Sequence, residues 1–251
     1  MPAALKTINY EGIFNKDPLE IRELIHACQP PPVGKGIFYL DLRCPSGKQV
    51  LLDLPKIDQG ILSYFGQPTE TKMNDYRQGV ERGFKHPGEV IETFEINRRE
   101  NLEGSHDVPP GLQSCKAGLS SMIDTGHLIT QNLLAALHPP SAAELAAGTG
   151  PSDTGLKLYL QDAAAAVPAQ ALGRNIVTAG GDHMQEWTPV EPKEGCVVVN
   201  VGDALQATSG NRAHAPLHRV VQPESPKPGG TCMVVYFLRP EQKQEEPKIL
   251  L

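Results

Sequence analysis

The sequence lacks long apolar runs, an excess of basic residues and paired cysteines. No apolar run approaches the roughly 18 residues that span a bilayer, and residues 1–6 lack the apolar core of a signal peptide, so we expect a cytoplasmic protein without a membrane partner. Lys and Arg total 23 against 29 Asp and Glu, and this acidic balance argues against nucleic acid as a partner. The five cysteines include no Cys-x-x-Cys pair, and their odd number does not suit a disulfide framework, so we interpret them as free, mostly buried thiols.

The 251 residues are 39% hydrophobic, which is enough for a substantial core and excludes a disordered chain. Helical patterns dominate the first 140 residues. Asp17 predicts the start of a helix that ends at Cys28, and apolar spacing predicts another over 111–138. After residue 140 strand-like runs separated by turn residues dominate, and the tail 241–251 is charged. The pattern predicts one α+β domain over 1–251, with a helix-rich part (1–140), a sandwich or barrel (141–240) and a flexible tail (241–251).

Several separated motifs resemble the isopenicillin N synthase-like Fe(II)/2-oxoglutarate oxygenases, in the order and at about the spacing of that family. They are Val199-Asn-Val-Gly-Asp-Ala-Leu-Gln206, Ser209-Gly-Asn-Arg212, Leu217-His-Arg-Val-Val221 and Val235-Tyr-Phe-Leu-Arg-Pro240, with Gly36-Ile-Phe-Tyr-Leu40 and Glu92-Thr-Phe-Glu-Ile96 in the first half. The resemblance covers nearly the whole chain and is strongest to fungal natural-product tailoring enzymes. It implies a double-stranded β-helix, a jelly-roll core with flanking N-terminal helices.

Iron binding in that family needs a His-x-Asp/Glu motif and a distant His, which leave open positions for the cosubstrate and oxygen. His218 falls where the resemblance places the distant His. None of the eight histidines is followed two positions later by Asp or Glu, so the other two ligands are absent. The nearest local match has Gln170 in place of the His. Asp182 and His183 lie in a shortened loop near the expected pocket, where they offer a rearranged site with His218 as an alternative.

The cosubstrate clamp implied by the resemblance is missing as well. The Arg-x-Ser pair of the family falls at Thr231 and Met233, which cannot replace a bidentate ion pair to a carboxylate. The Tyr that helps to hold the cosubstrate falls at Gln161. We therefore expect no metal and no cofactor, because two metal ligands and the anion clamp are lost independently.

A jelly roll without iron still offers an apolar pocket for a small molecule. We interpret His218 as a general acid or base assisted by Tyr159 and Gln170. The remaining candidates are expected to bind substrate, and strand alternation places several of them on shared faces. They are Lys157, Gln161, Thr231, Met233, Val235, Phe237, Trp187, Asp182 and His183.

Each candidate also has a structural interpretation. His218 is then an idle strand histidine, and Asp182 and His183 are ordinary loop residues. Asp203 is interpreted as a turn or cap residue, and Trp187 as either core or pocket wall. Arg239 is expected in a surface or inter-strand ion pair.

Three functions follow. The first is a cofactor-independent enzyme that isomerises, dehydrates or cyclises a natural-product intermediate, including pericyclic closure by positioning alone. The second is a non-catalytic partner subunit of an active oxygenase, and the third is an oxygenase with a rearranged metal site. We expect a small-molecule natural-product intermediate as the ligand in the first case, and an oligomer or oxygenase partner in the second.

Overall fold

The computed structural model describes residues 5–80, 82–86, 91–104, 108–137, 154–161, 169–177, 183–221 and 231–240. At residues 91, 161, 169–177, 183–188, 219–221 and 231 it describes the backbone. The predicted tail 241–251 lies outside the described residues. The described helices are α1 (Tyr10–Phe14), α2 (Pro18–Cys28), α3 (Lys48–Phe65), α4 (Thr69–Lys72), α5 (Arg98–Glu103), α6 (Lys116–Leu137) and α7 (Asp203–Thr208). The described strands are β1 (Thr7–Asn9), β2 (Ile37–Asp41), β3 (Gly83–Lys85), β4 (Ile91–Asn97), β5 (Gly155–Gln161), β6 (Ala169–Val177), β7 (His183–Val190), β8 (Cys196–Asn200), β9 (His218–Val221) and β10 (Thr231–Phe237).

The N-terminal elements form where the sequence predicts them. The Asp17 side chain accepts a hydrogen bond of 2.8 Å from the Leu19 amide and begins α2, with Pro18 in the first helical position. α6 follows a 3₁₀ turn over Pro110–Cys115, so the predicted helix over 111–138 is confirmed apart from its first turn. No described helix is long and apolar enough to cross a membrane.

The strands form three described sheets. β1, β2 and β8 form one, β10, β5, β4 and β3 form a second, and β7, β6 and β9 form a third. β1 and β2 pair in parallel, and the other named pairs are antiparallel. This order brings β4, from the helix-rich part, beside β5 from the C-terminal part, and β10 lies on the other side of β5.

The four-stranded sheet has two different faces. On one side of the sheet, every second residue of the strands is apolar and packs against α3 and α6. We call this set of residues the apolar face. Its members are Phe84, Phe94, Ile96, Leu156, Leu158, Leu160, Cys232, Val234 and Tyr236. The alternate positions form the polar face, which we define by Thr93, Glu95, Lys157, Tyr159, Met233, Val235 and Phe237.

The connection before β9 is tied to the helical layer. Gly36 has a φ of +67°, and a Cβ atom there would overlap the carbonyl oxygen of His214, so this close approach requires glycine. The His214 amide donates to the Cys28 carbonyl at 2.8 Å, and the Ala215 amide donates to the Gln206 side chain at 2.6 Å. The position at which β9 begins is thereby fixed by contacts with β2, α2 and α7.

Candidate functional site

His218 lies at the first position of β9 and is exposed. Its Nδ1 is 3.0 Å from the carbonyl oxygen of Pro216. Because a carbonyl oxygen only accepts, Nδ1 carries the proton in the neutral ring and Nε2 carries the lone pair. The imidazole is thus oriented with a basic nitrogen directed away from its own backbone.

A cavity of about 280 Å³ adjoins this imidazole. Its lining residues come from the segment after β8 and from the segment before β9, and they are Val201, Gly202, Asp203, Ala215, Pro216, Leu217 and His218. Asp203 is the first residue of α7, and no side-chain cap bond is made at Gly202, the N-cap position. A carboxylate and an imidazole therefore line one space, although the sequence pattern suggested a structural turn or cap role for Asp203.

The strand register separates His183 from His218. His218 pairs with Leu172 of β6, whereas His183 pairs with Val177, five residues further along the same strand. This corresponds to about 16 Å along β6, and β7 and β9 lie on opposite sides of it. The backbone register therefore keeps these two positions apart, and the hypothesis of a rearranged site that joins His218 to Asp182, His183 or another carboxylate stays a prediction.

The described residues do not fit an Fe(II) site. Among them, no three His, Cys, Asp or Glu side chains lie close enough together to hold a metal ion. A facial site needs three ligand side chains. Asp182 lies outside the described residues.

The backbone of Gln170 lies on β6 opposite Val220 of β9, one strand away from His218. Trp187 lies on β7 opposite Gly173. Thr231 of β10 pairs with Gln161 of β5 at the ends of their strands. The structure describes the backbone at these positions, so the binding roles assigned to their side chains stay predictions.

The polar face brings together five other predicted site residues. The register pairs Met233 with Tyr159 and Val235 with Lys157, and Phe237 follows on the same side of β10. Tyr159 belongs to the four-stranded sheet, whereas His218 belongs to the sheet of β7, β6 and β9. Tyr159 is not among the residues that line the cavity at His218. Among the predicted residues whose side chains the structure describes, five therefore lie on the polar face and His218 lies apart from them at the start of β9.

A buried acid that sequence reasoning missed lies on the polar face. The Glu95 side chain is 2% exposed. Its Oε1 accepts a hydrogen bond of 2.6 Å from Nη1 of Arg239, and its Oε2 is 3.4 Å from Nζ of Lys157. Arg239 was expected in a surface or inter-strand ion pair, and its partner is this buried carboxylate.

Thr93 lies two residues before Glu95 on the same face and is 2% exposed. Its hydroxyl oxygen has no hydrogen-bond partner among the described residues. The signal for both residues is present in the sequence as alternation, because Thr93, Glu95 and Asn97 alternate with Phe94 and Ile96. The polar residues of a strand are usually assigned to the solvent side, whereas Thr93, Glu95 and Asn97 are buried.

The cysteines are all free, as predicted, but only Cys28 and Cys115 are fully buried. Burial raises the pKa of Cys28 to about 12 and the pKa of Cys232 to about 11. A thiol acts as a nucleophile through its thiolate, so these shifts make both side chains poor nucleophiles at neutral pH.

Residues 154–240 match the sequence model of the 2OG-Fe(II) oxygenase superfamily. A 2-oxoglutarate-dependent dioxygenase of Gibberella zeae is 25% identical over 97% of this chain and 81% of its own length. Another, from a Dothideomycetidae species, is 25% identical over 95% of this chain and 83% of its own length. A 2-oxoglutarate-dependent dioxygenase of Amanita muscaria reaches 41% identity over 23% of this chain and 28% of its own length.

Solved structures of similar fold include Neurospora crassa T7H in complex with alpha-KG and thymine. It has a TM-score of 0.65 and 16% identity, over 94% of this chain and 86% of that chain. A rice dioxygenase for auxin oxidation has a TM-score of 0.60 and 19% identity, over 94% of this chain and 84% of that chain. The expected fold class, α+β with a double-stranded β-helix core, is confirmed by these neighbours.

Proposed function

We propose that this chain, which contains a 2OG-Fe(II) oxygenase superfamily domain and is related to fungal 2-oxoglutarate-dependent dioxygenases, is an enzyme that transforms a small molecule without Fe(II) or 2-oxoglutarate. The reaction class is isomerisation, dehydration or cyclisation of a natural-product intermediate. The observation that carries the proposal is the set of potential metal ligands around His218. The chain contains no His-x-Asp/Glu motif, and the register keeps His183 away from His218.

The residues near His218 suit proton transfer. Nε2 is the basic nitrogen of the ring, and the carboxylate of Asp203 lines the same cavity. In the proposed reaction Nε2 accepts a proton from the substrate, and the imidazolium returns it at another atom of the product. General acid–base catalysis of this kind typically contributes about 10²–10⁴-fold to a rate.

The test is a calorimetric titration of the metal-stripped protein with Fe(II) and 2-oxoglutarate under anaerobic conditions. We expect neither ligand to bind at high micromolar concentration, and metal-free protein to convert pathway intermediates at the full rate. The matched variant is His218→Ala, which should abolish conversion and leave the titrations unchanged.

Binding of one equivalent of Fe(II) that is lost in His218→Ala would contradict the proposal. Loss of conversion after chelation, with recovery on adding Fe(II), would contradict it as well. Either outcome returns the chain to the oxidative chemistry of its relatives.

The edge of β10 favours a second candidate, a non-catalytic partner of an active oxygenase. Among the described strands β10 pairs with β5 on one side, and its sequence Thr231-Cys-Met-Val-Val-Tyr-Phe237 contains neither charge nor proline. Such edges readily pair with a strand of another chain. Sedimentation of an equimolar mixture with an intact fungal homologue should then show a stable heteromer, and two separate species would reject this candidate.

A further inference from the structure

Another cavity, of about 520 Å³, lies beside α7 and is larger than the one at His218. It is formed by the end of α2 with the segment that follows it, by the last residue of α6, and by α7 with the loop after it. None of its lining residues also lines the cavity at His218. Its volume lies within the range of roughly 300–1,000 Å³ that is typical of small-molecule sites.

The helix α7 lies between the two cavities. Asp203 lines the cavity at His218, whereas Leu205 and Ser209 line the larger one. At about 100° per residue, Leu205 lies roughly 200° around the helix from Asp203, and Ser209 lies within about 40° of Leu205. The cavities therefore contact opposite sides of α7, and a ligand in the larger cavity occupies a site of its own.

The walls of the larger cavity are mostly aliphatic. Its lining residues, which all belong to the described part of the chain, include no aromatic ring. Ile25 and Val33 are 36% and 56% exposed, so an apolar ligand at this position would remove apolar surface from water. Burial raises the pKa of Cys28 to about 12, so this lining thiol stays neutral. The aliphatic wall consists of Ile25, Pro30, Pro31, Val33, Leu137 and Leu205.

Arg212 alone among these lining residues carries a charge. Its side chain is exposed, and its Nε donates a hydrogen bond of 3.0 Å to the Ser209 carbonyl. Within the described residues the guanidinium makes no other hydrogen bond or ion pair. Its two Nη groups can therefore donate together to one carboxylate, the anion whose geometry matches the planar guanidinium.

The backbone around Arg212 is fixed by its neighbours. The Ala213 amide donates to the Ser209 hydroxyl at 3.0 Å, and the His214 amide donates to the Cys28 carbonyl at 2.8 Å. These bonds hold the loop after α7 against the end of α2. The cationic and apolar sides of the cavity are thus positioned before a ligand binds, which lowers the ordering cost of binding.

We infer that the larger cavity is a binding site for a medium-chain acyl carboxylate. The carboxylate contacts the Nη groups of Arg212, and the acyl chain lies against the aliphatic wall that includes Ile25 and Leu205. The inference goes beyond the proposed function, because it assigns a second ligand to a cavity that neither Asp203 nor His218 lines.

The experiment compares octanoate with octanamide, which have the same shape and different charge, by calorimetry on the full chain. We expect octanoate to bind at least 10-fold more tightly. Arg212→Met should remove at least 10-fold of the octanoate affinity and leave octanamide binding unchanged, and Arg212→Lys should retain part of the octanoate affinity. Ile25→Gln, at an exposed position of α2, should weaken the binding of both probes several-fold.

Arg22→Met is the matched control. Arg22 is exposed, lies one turn before Ile25 on α2 and does not line the cavity. This variant loses the same charge and should bind octanoate as the wild type does. His218→Ala should also bind octanoate normally, because its cavity lies on the other side of α7.

Absence of octanoate binding at millimolar concentration would overturn the inference, as would equal affinities for the acid and the amide or for Arg212→Met and Arg22→Met. Loss of octanoate binding in His218→Ala would move the ligand to the other cavity and overturn it as well. Sedimentation of the wild type should show a monomer. A dimer that Ile25→Gln dissociates would instead assign the cavity to a second copy of the chain. These outcomes do not bear on the proposed function, which the Fe(II) and 2-oxoglutarate titrations test separately.

Discussion

The sheet formed by β10, β5, β4 and β3 and the sheet formed by β7, β6 and β9 differ in how their polar groups are supported. In the first, Glu95 is enclosed and contacts two cations. In the second, His218 is exposed, and its described hydrogen bond goes to Pro216, two residues away in the chain. The first arrangement depends on tertiary structure, whereas the second is local.

This difference indicates which part of an oxygenase-like scaffold can change without loss of the fold. The four-stranded sheet packs its apolar face against α3 and α6 and connects the two halves of the chain through β4 and β5. The proposed loss of metal ligands near His218 would therefore leave this sheet intact.

The largest expected effect tests the enclosed acid. Glu95→Ala should lower the free energy of unfolding by about 3–5 kcal/mol, because it removes a buried carboxylate that contacts two partly buried cations. The control is Glu103→Ala, which removes an exposed i,i+4 ion pair with Arg99 and should change the stability by less than about 0.5 kcal/mol. Urea unfolding measures the free energy of unfolding of both variants. Equal decreases in the two variants would show that the buried ion pairs of Glu95 stabilise the fold no more than an exposed ion pair does.

The next effect is pH-dependent and concerns the apolar face. His127 of α6 is buried and lies 3.0 Å from the hydroxyl group of Tyr236, and burial followed by the charge of Arg98 lowers its pKa from 6.5 to about 4. The folded state therefore disfavours the charged ring. The stabilisation is complete above pH 6.5 and is lost as the pH falls towards 4.

His127→Gln should remove this dependence while keeping a polar partner for Tyr236. Between pH 7 and pH 5 we expect the wild type to lose about 2 kcal/mol more than His127→Gln does. Tyr236→Phe is the control, because it removes the hydrogen bond but retains the titrating ring, so its pH dependence should follow the wild type. Parallel curves for the wild type and His127→Gln in urea unfolding would contradict the assignment.

Local signals account for the parts of the structure that the sequence predicts well. Short-range signals were sufficient to predict the helix cap at Asp17 and the turns at Gly195 and Gly210. The two glycines have φ of +71° and +64°, and each of these signals acts over a few residues. Glu95 was missed because its partners Lys157 and Arg239 lie 62 and 144 residues away in the sequence. The periodicity of a strand does not predict which other strands it pairs with. The turn or cap role of Asp203 stays a prediction, and its proximity to His218 could not be predicted, since it depends on how the segments after β8 and before β9 are arranged.

The smallest expected effect is at His218 and tests whether it is idle structure or a functional group. His218→Ala should change the free energy of unfolding by less than about 0.5 kcal/mol, because the side chain is exposed and its described bond is local. Leu217→Ala is the neighbouring control, since Leu217 is 46% exposed and should behave in the same way. A loss of 2 kcal/mol or more in His218→Ala alone would identify His218 as a packing residue, and the contrast between the two sheets would disappear. An unchanged stability excludes a packing role, and the conversion assay of His218→Ala then decides between an idle exposed histidine and proton transfer at Nε2.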